Sequence, residues 1–175
     1  KRAIARFGEP AALAAQALVF TMDGIPLVYN GMEFGDTAES GGPALVERVP
    51  LFWPIVERRP EFPRFYRSMI ALRRAHPALR QGETLWVDSS APDRVVSFVR
   101  RGAGEDVLVA GNLSSQPWAG TVEAPAGAPF TEITPEVPLP QQPGGASPAR
   151  TVRTVDLPAL ALDAWGFRLF RRATP

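Results

Sequence analysis

The stretch Thr21 to Asp36, TMDGIPLVYNGMEFGD, constrains the fold more than any other. From Ile25 to Tyr29 it is apolar at every position, with Pro26 lacking an amide hydrogen, which predicts a strand buried on both faces and not an alternating, half-wet one. Such a strand needs cover on two sides, and helical patterns lie before and after it. Asp23-Gly24 supplies the stop of the preceding helix and the turn into the strand, glycine accepting a backbone conformation that a side chain resists. Gly31 and Gly35 then bracket Glu33, so backbone can pass close to a ligand or another segment at the strand's carboxyl end. In helix-strand-helix proteins that end is where chemistry sits.

The flanking patterns agree. Lys1 to Phe7 reads as basic and irregular, and Gly8-Glu9-Pro10 opens a helix with proline in the first turn, where its missing amide hydrogen costs nothing. Ala11 to Met22 continues it with high helix propensity, Leu13, Ala17 and Phe20 sharing one face. From Asp36 to Arg59 the chain reads as a long loop, Ser40-Gly41-Gly42-Pro43 at its centre, whose length points to a functional excursion. Within it Leu51-Phe52-Trp53 either packs under the loop or faces a ligand, packing weighing more because buried aromatics are usually core. Phe62 to Ala75 is a second helix, its stripe of Phe62, Phe65, Tyr66, Met69, Ile70 and Leu72 opposed by Arg64, Arg67, Arg73 and Arg74 on the wet side. His76-Pro77 ends it, with His76 expected to meet the last helical carbonyls.

From Thr84 the period changes from helical to two. Segments at 84–88, 94–101, 106–113, 118–123, 130–134, 151–156 and 165–171 read as short strands separated by Pro, Gly, Ser and Asp, the spacing of an antiparallel sandwich. Residues 124–149 are rich in proline and glycine and read as a long loop with one strand inside it.

Three stretches taken in order resemble the α-amylase superfamily, glycoside hydrolase family 13. Ile25-Pro26-Leu27-Val28-Tyr29-Asn30-Gly31-Met32-Glu33 resembles its last barrel strand. Residues 65–82, FYRSMIALRRAHPALRQG, are similar to its final barrel helix and the exit from the barrel. Residues 94–115 resemble the first strands of its C-terminal domain. The fold this implies is the last helix-strand-helix of a TIM (β/α)8 barrel over residues 1–82, followed by an antiparallel Greek-key β-sandwich over residues 83–175. The function it implies is that of the C-terminal part of a glycosidase acting on α-glucosidic bonds of starch-like glucans or oligosaccharides by retaining double displacement.

By the same resemblance, the nucleophile, the general acid and the third carboxylate belong to the ends of earlier barrel strands, and an Asn-His-Asp signature would fall just upstream of Lys1. The chain is therefore expected to be part of a longer protein, to carry no catalytic residue and to be inactive alone. Glu33 and Asp36 are the tempting carboxylate pair, with Glu39 and Glu47 in the same excursion. The heavier alternative has Glu33 holding loops by hydrogen bonds and Asp36 capping a turn. Arg2, Asn30, Glu33, Phe34 and Asp36 are the candidate substrate-binding residues. The rival reading is a carbohydrate-binding or structural β-sandwich module without catalysis, with Trp86 and Trp118 as sugar platforms.

Composition narrows the partners. In 175 residues, 19 basic against 18 acidic side chains leave a formal charge of +1, no electrostatic footprint for nucleic acid or anionic membrane. No cysteine and a single histidine argue against thiolate and multi-histidine metal sites, and no cofactor or metal is expected. No apolar run approaches the roughly 20 residues of a membrane span. Self-association is expected instead, through the orphaned strand at Ile25 to Tyr29.

Overall fold

The computed structural model describes residues 2–38, 50–136, 154–155 and 157–175. Glu39, Ser40, Gly41, Gly42, Pro43, Glu47, residues 137–149 of the loop expected at 124–149 and most of the strand expected at 151–156 lie outside the described residues.

The described chain begins with two helices. Residues expected to be irregular form a short helix, α1 (Ala3–Phe7), followed by α2 (Glu9–Thr21) with Pro10 in its first turn. Glycine explains the correction: Gly8, at φ +84°, lets α1 end with its amide bonded to the Ile4 carbonyl while its own carbonyl starts α2 through the Ala12 amide. Leu13, Ala14, Ala17 and Phe20 are buried, and α2 stops at Met22 just before Gly24, also at positive φ. The Arg73 guanidinium donates to the Phe20, Met22 and Gly24 carbonyls, a cation capping a helix carboxyl end and not a wet-face residue.

The expected strand at Ile25 to Tyr29 does not form. Residues 25–29 belong to no ladder, Ile25 is 96% exposed and Leu27 76%. A doubly buried parallel strand needs a neighbour on each edge and cover on each face, and no described strand lies beside it. Hydrogen exchange should therefore be faster over residues 25–30 than over 95–113, where 95–102 and 105–112 pair along their whole length. Stronger protection at 25–30 would reveal a pairing absent from this structure.

Beyond the loop come α3 (Ile55–Arg58), α4 (Glu61–Ala75) and α5 (Pro77–Gln81). Phe62, Phe65, Tyr66 and Met69 are buried as the stripe predicts, whereas Ile70 is 38% exposed at its margin. The chain does not leave the helical layer at His76: Pro77, at the first turn of α5, restarts it.

Among the described residues eight strands follow: β1 (Glu83–Trp86), β2 (Val95–Gly102), β3 (Glu105–Asn112), β4 (Trp118–Thr121), β5 (Phe130–Glu132), β6 (Thr154–Val155), β7 (Ala159–Leu162) and β8 (Phe167–Ala173). All pairs are antiparallel, in a six-stranded sheet of order β1-β2-β3-β8-β5-β6 and a two-stranded ribbon, β4-β7. Register gives the sheet two apolar faces. Phe98, Val109 and Leu169 are cross-strand partners that join α2, α4 and α5 in one core, and the next row, Val99, Leu108 and Phe170, packs with Trp118, Leu160 and Leu162 of the ribbon.

β7 was not anticipated. Its sequence, ALAL, has no polar residue to mark alternation, yet Leu160 and Leu162 are buried while Ala159 and Ala161 are exposed. The contrast in size, invisible to a polar-apolar reading, selects the face.

Candidate functional site

The loop from Tyr29 to Ala38 gathers the candidate residues. Gly31 and Gly35 adopt left-handed conformations, φ +92° and +69°, at either end of a single 3-10 turn, Met32–Phe34, so the chain reverses tightly around Glu33. Gly31 also needs its missing side chain: a β-carbon there would lie 2.9 Å from Arg2 Nη1 and 3.0 Å from Asp36 Cβ. The glycine bracket read from sequence is thus a steric requirement as well as a conformational one.

Arg2, immediately before α1, holds this loop. Its Nη1 donates to the Asn30 carbonyl at 2.8 Å and its Nε to the Ala38 carbonyl at 3.2 Å. Nη2 lies 3.2 Å from Asp36 Oδ2, and the guanidinium carbon sits 5.7 Å from the centroid of the Tyr29 ring. A planar, permanently charged fork suits this task, because three nitrogens reach three points of one loop. Asp36 is 2% exposed, paired with Arg2, and its Oδ1 accepts the Ala38 amide at 3.0 Å. Its charge is compensated and its carboxylate caps a turn.

Glu33 is half-buried and accepts the Gly31 amide through Oε2 at 2.9 Å. Asn30 is exposed. Phe34 is 1% exposed, and its ring lies 4.8 Å from that of Trp53. Trp53 therefore packs against Phe34 while remaining 61% exposed, and Phe52 is 54% exposed, so this pair is only partly covered. Arg2, Asn30 and Asp36 are in direct contact; Glu33 joins them through Gly31, and Phe34 supports them from beneath.

Three neighbours went unnoticed in the sequence. Arg59 donates to the Gly35 carbonyl and pairs with Glu9, tying the loop to α2. Tyr66 and Gln16 line a small cavity with Arg2, Met32, Gly35 and Asp36. Burial, with a smaller contribution from the Glu33 charge, pushes the Tyr66 phenol far above its ordinary value, so it remains a neutral hydroxyl. In the sequence Tyr66 is one more member of an apolar stripe, and Gln16 and Arg59 carry no local mark at all.

His76 does not turn to the helix carbonyls with its ring: Nδ1 lies 3.1 Å from Glu105 Oε2, which also accepts from Arg171 Nε at 2.9 Å. Glu105 Oε1 takes the Ala78 amide, so this cluster fastens α5 to β3. Of the two proposed sugar platforms, Trp118 is 4% exposed and belongs to the core, while Trp86 is 63% exposed. Stacking on a sugar by a coplanar pair is therefore excluded. Among the described residues, no group of three or more His, Asp or Glu side chains is placed to hold a metal ion, and no helix is long and apolar enough to cross a membrane.

Comparison with known proteins sets this geometry in context. No protein-family model matches the chain. Alpha-amylase 2 of Dictyoglomus thermophilum is 31% identical over 109 residues, covering 58% of this chain and 18% of that protein. Alpha-amylase MalA of Haloarcula japonica is 31% identical over 137 residues, 75% of this chain and 19% of that one. The noncanonic maltogenic alpha-amylase AmyB of Thermotoga neapolitana superposes with a TM-score of 0.68 at 15% identity, over 100% of this chain and 39% of that structure. The chain spans under a fifth of the length of the curated relatives it matches.

Proposed function

From its place as a C-terminal portion of the α-amylase superfamily, glycoside hydrolase family 13, we propose that this chain closes the catalytic barrel of an α-amylase-type glycosidase acting on α-glucosidic bonds of starch-like glucans or oligosaccharides. On this reading residues 1–82 are the last helix-strand-helix of a (β/α)8 barrel and residues 83–175 its Greek-key β-sandwich. The observation that carries it is the loop held by Arg2, which presents Asn30 and Glu33 at its surface over a buried Phe34 and a neutralised Asp36. Asn30 and Glu33 face the substrate site, held there by Arg2, Phe34 and Asp36; none of the five performs the chemistry. Retaining hydrolysis needs a nucleophile and a general acid roughly 5 Å apart across the scissile bond. Asp36, paired with Arg2 and buried, is in no position to serve as either.

Two expected results test this. The 175-residue chain, assayed on maltooligosaccharides and on an aryl α-glucoside, should release no sugar; turnover that disappears in Glu33→Gln would overturn the reading. The same chain should also associate in solution, because Ile25 and Leu27 are exposed on a segment that joins no ladder among the described residues. Sedimentation should reveal a dimer or larger species weakened by Val28→Lys, and a monomer at every concentration would end that idea.

A further inference from the structure

The cavity between α2 and the Gly31–Asp36 loop is lined by Arg2, Gln16, Asp36 and Tyr66, with Ile4, Ala12 and Phe62 among its apolar walls. Two polar atoms there are buried without a hydrogen bond: Gln16 Oε1 and Asp36 Oδ2. Asp36 Oδ2 has the ion-pair contact with Arg2, but no donor completes its shell. Each unsatisfied buried acceptor costs about 1–3 kcal/mol, and two carried by residues that line one cavity suit a shared partner.

We propose that this cavity is a hydration site, occupied by an ordered water that donates one hydrogen to Asp36 Oδ2 and the other to Gln16 Oε1. Size fits: the cavity offers about 30 Å³, and a water needs on the order of 10–15 Å³ measured in the same way. Chemistry fits, since both orphaned atoms are acceptors and water brings two donors. Charge fits as well. Arg2 already balances Asp36, so a neutral occupant leaves the site neutral, whereas a cation would leave it positive. The consequence is a second polar connection, beside that of Arg59 to Glu9: the water joins the middle of α2 to the loop presenting Asn30 and Glu33. This inference stands on the geometry of the chain and is independent of the proposed substrate.

Crystal structures of the chain and of Gln16→Met, at a resolution that resolves ordered solvent, test it. The expected result is one peak within hydrogen-bond distance, about 2.7–3.2 Å, of both oxygens in the wild type. That peak should vanish in Gln16→Met, with a fall in melting midpoint of about 2–4 °C. Three results would overturn the proposal: an empty cavity, a Gln16 amide turned to donate directly to Asp36, or an ion with several oxygen contacts near 2.4 Å. If Gln16→Met does not fold, magnetisation transfer from a long-lived water to the amides of Gly35 and Asp36 in the wild type decides the question. Its absence counts against the site.

Discussion

Asp106→Ala should destabilise the chain by about 3–5 kcal/mol, the cost of leaving a buried charge without its partner. Asp106 is fully buried on β3 between two register partners, Arg101 on β2 and Arg172 on β8. Arg101 reaches Oδ1 at 2.8 Å and Oδ2 at 3.0 Å, and Arg172 reaches Oδ2 through Nη2 at 2.8 Å. Arg172 is itself buried, lies 4.5 Å from the Phe130 ring centroid, and donates to the Pro125 carbonyl. Removing the carboxylate strands that guanidinium inside the sheet. The Arg101 half of the network is more exposed, so solvent screens part of its contribution. Denaturant unfolding measures the loss, and a change below about 1 kcal/mol would mean that Arg172 finds another acceptor.

The same carboxylates set the response to acid. The hydrogen bonds from Arg101, opposed by burial but reinforced by Arg172, hold the Asp106 carboxyl below its ordinary range. Burial alone would raise Glu105, but hydrogen bonds from His76, Arg171 and the Ala78 amide outweigh it and lower that group too. A carboxylate whose folded value is depressed contributes stability that is fully present above its unfolded value, near pH 4, and lost as pH falls through the folded one. Stability should therefore decline below about pH 4, and less steeply in Asp106→Ala, which has already lost one of the two groups.

Phe65→Ala should be as damaging, about 3–5 kcal/mol, and its effect should reach both layers at once. Phe65 on α4 is fully buried, with ring centroids 5.5 Å from Tyr66 and 6.0 Å from Phe167 at the start of β8. The core it occupies mixes Leu13, Phe20 and Met69 from the helices with Phe98, Val109 and Leu169 from the sheet. Because helices and sheet share these side chains, a helical probe and a strand probe should report one coincident transition, shifted equally by the substitution. Two separated transitions would mean that the sheet holds its structure without the helices.

Sequence alone determined what is local and periodic in this chain. The apolar stripe of α4, the glycine bracket around Glu33 and most strands were legible because a helix repeats near 3.6, a strand at 2, and glycine marks positive φ. Arg2 and Asn30 were singled out through the family resemblance and Asp36 by its place at the segment's carboxyl end, without any indication that they touch. What only the tertiary structure decided depends on partners distant in sequence. Arg2 meets Asp36 across 34 positions, Arg73 caps a helix about 50 residues away, and β7 acquires its face by pairing with β4. The segment Ile25 to Tyr29 makes the same point in reverse. Its residues have the composition of a buried strand, but a strand is a property of paired backbones, and among the described residues none forms a ladder with it, so Ile25 and Leu27 stay exposed.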